Sequence, residues 1–229
     1  MRNKLTLLLL AAVMTTGISC KKDTTGEAET KDAVEAKRNS KKAKKYIVDT
    51  ANSTIHWTGS KPTGNHTGKI NISDGEIYVN KDSIDSGKFT INMKSIVVTD
   101  LTIAEGKEDL ENHLKGIAKE SDKADHFFNT NKYPTGTFEI TAVTKENSKS
   151  SIEGNLTLKG VTKNIKFPAK VTITADAVNI ESDDFKINRI LWNINYSSKS
   201  VFDNLGNQYI DDDIELKVRV NAKRAKNKK

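Results

Sequence analysis

Apolar and polar residues alternate over most of the chain, and this period-two pattern is typical of half-buried β-strands. In STIHWTG, Ile55 and Trp57 share one face, and in GKFTINM, Phe89 and Ile91 do so. The same alternation runs through TFEITAV, SIEGNLTLKG, NIKFPAKVTITA, NINY and IELKVRVNA. Turn-forming segments such as SDGE, KDSIDSG, KENSKS and ESDD separate these stretches. Many short strands at near-regular spacing predict an all-β fold, either an antiparallel sandwich or a closed barrel.

One segment departs from this alternation. In AEGKEDLENHLKGIAKES, Leu110, Leu114, Ile117 and Ala118 recur at i, i+4, i+7 and i+8, which is the period of an amphipathic helix. The spacing predicts one helix of about four turns within the β-rich region. Such a helix would cap an opening of the barrel or lie on its wall.

The first residues have the order of a secretory signal. MRNK supplies two positive charges, LTLLLLAAVM is a short apolar run, and TTGIS leads to Cys20. A cysteine at this point resembles a bacterial lipoprotein signal, so we expect a signal peptide over 1–19 and an acylated Cys20. The acyl group would anchor the protein to a bacterial membrane, in the periplasm or at the cell surface. The alternative is an ordinary signal peptide that contains a cysteine. Because the chain has a single cysteine, an internal disulfide is excluded.

Charge is distributed unevenly along the chain. Residues 20–45 carry nine Lys or Arg and five Asp or Glu with almost no apolar residues, which predicts a disordered tether. Residues 222–229 form a basic tail. The signal, the tether and the tail together carry +11, so the formal net charge of +7 leaves residues 46–221, the predicted single domain, with a net charge of −4. A mildly acidic domain lacks the basic surface that nucleic acid requires, so we expect no nucleic-acid partner.

The sequence contains no strong catalytic or metal-binding motif. None of the four histidines has a partner at the spacing of a metal site, and nucleophile elbows, phosphate loops and dinucleotide fingerprints are absent. The Asp211–Asp213 run lacks the spacing of a calcium loop and is typical of a solvated turn. We therefore expect no catalytic residues, no metal and no cofactor. An enzyme would require ionisable groups such as His66, Asp100 and Arg189 to meet at the wall of a cavity.

The inner face of the predicted barrel is the main candidate site. Large side chains on it would either fill a solid core or line a cavity for one ligand. In DDFKINRILWNINYSS, a bulge near Ile190–Leu191 would bring two sets of residues of opposite parity onto that face, Arg189 included. A buried Arg189 needs an anionic or carbonyl partner, either in the protein or on the polar head of an amphiphile. The candidate ligand-binding residues are Trp57, Phe89, Ile91, Phe138, Ile140, Leu156, Leu158, Ile187, Arg189, Trp192, Ile194 and Tyr196.

Five blocks of the sequence together resemble a known family. They are YIVDTANSTIHWTG, KFTINMKSIVVTDL, DHFFNTNKYPTGTFEIT, IEGNLTLKGVTKNIKFPAKVTI and FKINRILWNINY, which begin at Tyr46, Lys88, Asp125, Ile152 and Phe185. In this order they are similar to the YceI-like family. SKPTGNHTGKI also resembles the subgroup found on secreted lipoproteins.

The resemblance implies a lipocalin-like antiparallel β-barrel with a long central tunnel. Members of the family bind polyisoprenoid chains, quinone-type lipids or fatty-amide amphiphiles, and they act as carriers or stores without agreed catalytic residues. The expected partner is therefore a long-chain lipid, with the membrane as a second partner through the anchor. A homodimer is a further possible partner, and the sequence contains no signature that decides the oligomeric state. The rival expectations are an interaction module with a solid core and an enzyme that acts on a lipid or sugar.

Overall fold

The structure is a computed structural model that describes residues 26–118, 121–146 and 149–226. Cys20 and the predicted signal peptide lie outside these residues. Within the described ranges no helix is long and apolar enough to cross a membrane. The strands are β1 (Glu29–Asp32), β2 (Lys44–Val48), β3 (Thr54–Lys61), β4 (Gly64–Asn80), β5 (Ser83–Val98), β6 (Thr135–Glu146), β7 (Lys149–Leu158), β8 (Val161–Ile173), β9 (Ala177–Ser182), β10 (Phe185–Asn188) and β11 (Asp213–Arg224).

The strands close into an antiparallel barrel. The ring runs β3–β4–β5–β6–β7–β8–β9–β11 and returns to β3, because β11 pairs with both β9 and β3. Strand β11 is long enough to pair with two strands along each of its edges. Along one edge it pairs with β3 and then β2, and along the other it pairs with β10 and then β9. Closure leaves each ring strand paired on both sides, so the barrel avoids open sheet edges. The predicted all-β antiparallel barrel with one short helix is confirmed.

Alternation along the strands builds the interior. In β7, buried residues alternate with half-exposed ones from Ser150 to Leu158, and β5 buries Phe89, Ile91 and Met93 in the same way. Successive side chains of a strand point to opposite faces, so each strand contributes one row to the inside of the barrel. The apolar core is therefore the barrel interior.

The helix is shorter than its pattern predicted. Helix α1 spans Lys107–Lys115, about two and a half turns, and ends where Gly116 adopts φ +71° and its N–H donates to the carbonyls of Asn112 and His113. A Cβ at Gly116 would lie 2.2 Å from the carbonyl oxygen of Ala124, so the close approach requires glycine. Ile117, which the periodicity assigned to the apolar face, therefore lies beyond the helix and is 43% exposed.

The predicted disordered tether is wrong for its described part, residues 26–45. Here the chain forms an ordered N-terminal arm, residues 26–43, whose strand β1 joins the sheet beside β8. The N–H of Ala28 donates to the carbonyl of Lys186 at 2.8 Å, and the N–H of Lys186 donates to that of Gly26 at 2.8 Å. Strand β1 then pairs with β8 from Glu29↔Lys166 to Asp32↔Lys163.

The arm fills a gap in the barrel wall. Strand β8 pairs with β9 only over Ala169–Ile173, so the part of β8 before Ala169 needs another neighbour, and β1 supplies one. Further along, Val34 exchanges two hydrogen bonds with the carboxamide of Asn155, at 2.7 and 3.2 Å. Composition failed to predict this because the arm buries one apolar side chain, Ala28, and is otherwise held by backbone groups and by ion pairs such as Lys31–Glu153 at 2.7 Å.

The predicted boundary between the domain and the basic tail also shifts. Strand β11 continues through Ala222 to Arg224, and these residues pair with β2. Lys223 Nζ lies 2.8 Å from Asp49 Oδ2, and the N–H of Ala225 donates to the carbonyl of Lys45. The first residues of the tail are therefore part of the barrel wall.

Candidate ligand-binding cavity

A cavity of about 260 Å³ runs along the inside of the barrel. On β3 its wall includes Ile55, Trp57, Gly59 and Lys61, every second residue of the strand. Six residues of strand span roughly 20 Å at about 3.3 Å per residue. A cavity that holds one water needs about 10–15 Å³, so this cavity is far larger than the voids of an ordinary protein core. The interior therefore contains an apolar cavity, here called the tunnel, and this counts against the alternative of an interaction module with a solid core.

The tunnel opens at one end of the barrel, here called the mouth end. Four connections meet there: the β3–β4 hairpin, the β5–β6 connection with α1, the β7–β8 turn and the β10–β11 connection. From this end Leu110 and Leu114 of α1, together with Phe127 and Phe128, reach the tunnel wall. The helix therefore partly covers the opening.

Nine of the twelve predicted ligand-binding residues line the tunnel. These nine residues are Trp57, Phe89, Ile91, Phe138, Ile140, Leu156, Leu158, Ile187 and Arg189. Their contact with a ligand stays a prediction.

The other three predicted residues lie outside the tunnel wall. Instead of a bulge, the chain after β10 forms a 3-10 turn over Arg189–Trp192, because the Asn188 side chain accepts from the N–H of Ile190 and Asn193 adopts φ +57°. Trp192 and Ile194 are fully buried, and the indole N–H of Trp192 donates to the carbonyl of Leu156 at 3.1 Å. These two residues pack the cap of the barrel rather than its lumen.

Tyr196 belongs to a ring cluster beside α1. Its ring stacks on His126 with centroids 4.0 Å apart, and it contacts the rings of His113 and Phe127. His113 Nε2 and His126 Nδ1 lie 2.9 Å apart, so one imidazole donates to the other. The cluster fastens the β10–β11 connection to the helix, with Phe127 between it and the tunnel.

Arg189 points inward, and its partners are carbonyl oxygens of the protein. The side chain is 1% exposed and donates to Ile194 at 2.6 Å and to Ile210 and Asp211 at 2.9 Å. Burial lowers the pKa of the guanidinium, and the charges of Asp212 and Asp211 oppose this effect. Arg189 therefore fixes the β10–β11 connection at the mouth. Lys159 acts similarly, since its buried Nζ donates to the carbonyls of Asp125 and Asn193.

Polar groups gather at the mouth, whereas the deeper wall is apolar. His66 Nδ1 lies 2.9 Å from Asp100 Oδ2, and the N–H of Thr67 donates to Asp100 Oδ1 at 2.8 Å. Burial raises the pKa of Asp100, but the bonds from Thr67 and His66 outweigh it and leave the pKa below its usual value. On β11, which is separated from the His66 strand only by β3, burial raises the pKa of Asp213, and the charge of Glu27 adds to the increase.

Of the three ionisable groups that the enzyme alternative would require, two are hydrogen-bonded to each other. His66 and Asp100 form a pair at the rim, whereas Arg189 bonds to carbonyls of the β10–β11 connection. Among the described residues, no group of three or more His, Cys, Asp or Glu could hold a metal ion. The arrangement is suited to holding an apolar chain in the tunnel with a polar group at the mouth.

Sequence reasoning missed several lining residues. On β11 the alternation of IELKVRVNA was visible, so Ile214, Leu216, Val218 and Val220 could have been assigned to the wall. Phe127 and Phe128 had no such signal, because they lie in an irregular segment positioned by α1. The stacked rings of Phe167 and Phe185, 4.3 Å apart, come from strands distant in sequence.

Comparison with known proteins agrees with this architecture. A UPF0312 protein of Pseudomonas aeruginosa is 36% identical over 106 residues, which are 45% of this chain and 48% of the relative. A UPF0312 protein of Yersinia pestis is 32% identical over 93 residues, 38% of this chain and 44% of the relative. The chain thus spans about half the length of the curated relatives it matches.

Two solved structures share the fold. Burkholderia cenocepacia BcnA superposes with a TM-score of 0.58 at 18% identity, over 76% of this chain and 98% of that protein. A polyisoprenoid binding domain from Saccharophagus degradans gives 0.54 at 13% identity, over 79% and 98%. Residues 46–222 match the YceI-like domain, which covers all the strands of the closed ring except the last two residues of β11. The chain therefore belongs to the YceI-like family.

Proposed function

We propose that this protein binds a long-chain isoprenoid or a related amphiphilic lipid in its tunnel and carries or stores it outside the cytoplasm. The observation that carries the proposal is the tunnel, whose wall follows a stretch of β3 roughly 20 Å long and is apolar in its depth and polar at its mouth. Burying each methylene contributes about 0.8 kcal/mol, so a long tail can bind tightly without specific polar contacts. The polyisoprenoid-binding neighbour from Saccharophagus degradans supports the same class of ligand.

The polar groups at the mouth suggest where the head of the ligand would lie. Lys61, His66 and Asp211 line the opening, and an amphiphile that enters tail first leaves its head beside them. Three of the five N–H groups of the Arg189 guanidinium already donate to carbonyls of the protein, so we expect Lys61 and His66 to be the main contacts of the head group. The protein would act by enclosing its ligand, without chemistry.

The proposal includes an acyl anchor at Cys20, on the membrane from which such a lipid comes. Its support is the order of charged, apolar and small residues before the only cysteine of the chain. Metabolic labelling with a radioactive fatty acid tests the anchor, with Cys20→Ser as the control. Label on the Cys20→Ser protein, or no label on the natural sequence, would refute acylation at this residue.

Mass spectrometry of organic extracts tests the binding function. Residues 21–229 would be purified without detergent from a host that makes isoprenoids. We expect a prenyl-chain lipid at close to one molecule per protein. An empty protein that also fails to take up added prenyl lipids would refute the proposal.

A matched pair of variants locates the ligand. Gly59 faces the tunnel, and a Cβ there would meet only the ring of Trp57 at 4.0 Å, so Gly59→Phe places a ring in the lumen without a backbone clash. His56→Phe adds the same ring to the exposed face of the same strand. We expect Gly59→Phe to lose most of the bound lipid and His56→Phe to retain it. Equal occupancy in both would mean that the ligand lies outside the tunnel.

A further inference from the structure

Exposed apolar side chains are concentrated at the mouth end of the barrel. The β5–β6 connection exposes Ile103 (72%) and Ile117, and the β10–β11 connection exposes Leu191, Val201 and Phe202 (48%). Near the opposite end, Ile47 of β2 is 43% exposed, and the described connections around Lys81–Asp82 and Thr174–Asp176 expose no large apolar side chain. The two ends of the barrel therefore present different surfaces to water.

The connections that expose these apolar side chains also contribute residues to the wall of the tunnel. The β5–β6 connection that exposes Ile103 also directs Leu110 and Leu114 into the tunnel. The β10–β11 connection that exposes Phe202 contributes Ile210 to the same wall. A lipid tail that leaves the tunnel would thus meet apolar side chains on both sides of the opening.

Charge around the mouth is mixed. Lys61, Lys107 and Lys199 lie near Asp100, Glu105 and Asp203 on the same connections, so this end has no strongly basic surface. Attraction to anionic head groups is therefore a minor contribution here. The feature that distinguishes the mouth end is its apolar side chains, which can enter the boundary between head groups and acyl chains.

We propose that the mouth end docks on a lipid bilayer by inserting the apolar side chains of the β5–β6 and β10–β11 connections, so that the tunnel opens directly onto the membrane. The inference rests on the proposed function, because a lipid carrier must load and unload its cargo without exposing it to water. It adds the surface through which the transfer occurs.

Vesicle flotation tests the docking. The probe is a phosphatidylcholine vesicle without anionic lipid, and the protein is residues 21–229, which contain every described strand of the closed barrel. We expect binding that survives 0.5 M salt and that falls at least about tenfold in Ile103→Ser/Phe202→Ser. The control, Val34→Ser/Ile47→Ser, removes two exposed apolar side chains (37% and 43%) from the N-terminal arm and from β2 and should bind within twofold of the unaltered protein.

A labelling experiment determines the orientation. Residues 21–229 contain no cysteine, so Asp203→Cys and Asp82→Cys each give one site for an environment-sensitive dye, at the mouth end and at the opposite end. We expect a blue shift on vesicles from the label at position 203 alone. Equal shifts at both positions, or binding restricted to anionic vesicles and lost in salt, would overturn the proposal.

The two proposals can fail separately. Protein that retains an extracted lipid but never floats with vesicles would overturn the docking and leave the binding function standing. Protein that floats through Ile103 and Phe202 but takes up no prenyl lipid would overturn the binding function instead. Thermal unfolding of each variant verifies that the exposed substitutions leave the barrel folded.

Discussion

Replacing Arg189 by methionine should destabilise the protein strongly while leaving the apolar tunnel nearly intact. Methionine keeps most of the aliphatic volume of the side chain but removes the donors that reach the carbonyls of Ile194, Ile210 and Asp211. It also leaves Asp212, whose Oδ1 lies 3.7 Å from the guanidinium, without its cation. The substitution thus tests whether Arg189 fixes the cap of the barrel.

The size of the effect follows from these contacts. A hydrogen bond from a charged group contributes about 1.5–3 kcal/mol, but bonds made by one side chain are not additive. Breaking a buried charged network typically costs about 3–5 kcal/mol, so we expect a loss of about 4 kcal/mol in the free energy of unfolding. For a domain of this size that loss lowers Tm by about 8–16 °C.

Urea denaturation and thermal scanning would measure the change. Arg189→Lys keeps the positive charge but cannot reach three carbonyls in fixed directions, so it should recover less than half of the loss. Lys88→Ala, which removes an exposed cation from β5, is the control and should change stability by less than about 0.5 kcal/mol. A loss below about 1 kcal/mol in Arg189→Met, or full recovery in Arg189→Lys, would refute the reasoning.

Three further predictions concern other parts of the barrel. Gly68→Ala should cost at least about 1–3 kcal/mol in thermal unfolding, because its Cβ would lie 2.0 Å from a backbone oxygen, whereas Gly59→Ala should fold normally. The pKa of Asp213 is raised in the folded state, so the protein loses stability as the pH rises above the usual carboxyl range and this group ionises. Asp213→Asn should therefore raise Tm at pH 7 and make Tm fall less between acidic and neutral pH. An unchanged dependence of Tm on pH would contradict this. Ala28→Asp places a carboxylate at a buried position, so it should release the N-terminal arm and speed amide hydrogen exchange in β1 and in the part of β8 paired with it. Full protection of these amides would argue against a role of Ala28 in holding the arm.

Much of the barrel wall could be predicted from the sequence because the pattern repeats in every strand. Once the register of a strand is set by one large residue, such as Trp57 or Leu156, its neighbours at i±2 face the same side. Nine predicted residues therefore line the tunnel, even though their mutual contacts were unknown. Gly116 was also a readable stop signal for the helix, since glycine commonly ends helices in this conformation.

The errors arose where the backbone, rather than the alternation of side chains, determines the structure. The 3-10 turn at Arg189–Trp192 removes Trp192 from the wall, and its main local signal is the capping Asn188. The pair of His66 and Asp100, 34 residues apart, depends on the register between β4 and β5, which no local pattern specifies. The arm likewise depends on an unpaired stretch of β8 far away in sequence.

The docked arm changes the mechanics of any anchor at Cys20. A free segment through residue 45 would let the barrel drift over a wide volume, whereas the first fixed contact of the arm is at Gly26. Six residues span at most about 20 Å at about 3.3–3.6 Å per residue. With Cys20 acylated as proposed, the barrel wall would stay within that distance of the bilayer, which raises the local concentration of the mouth at the membrane. The arm would thus shorten the tether between the anchor and the barrel, and each release of the mouth would be followed by rapid return to the same patch of membrane.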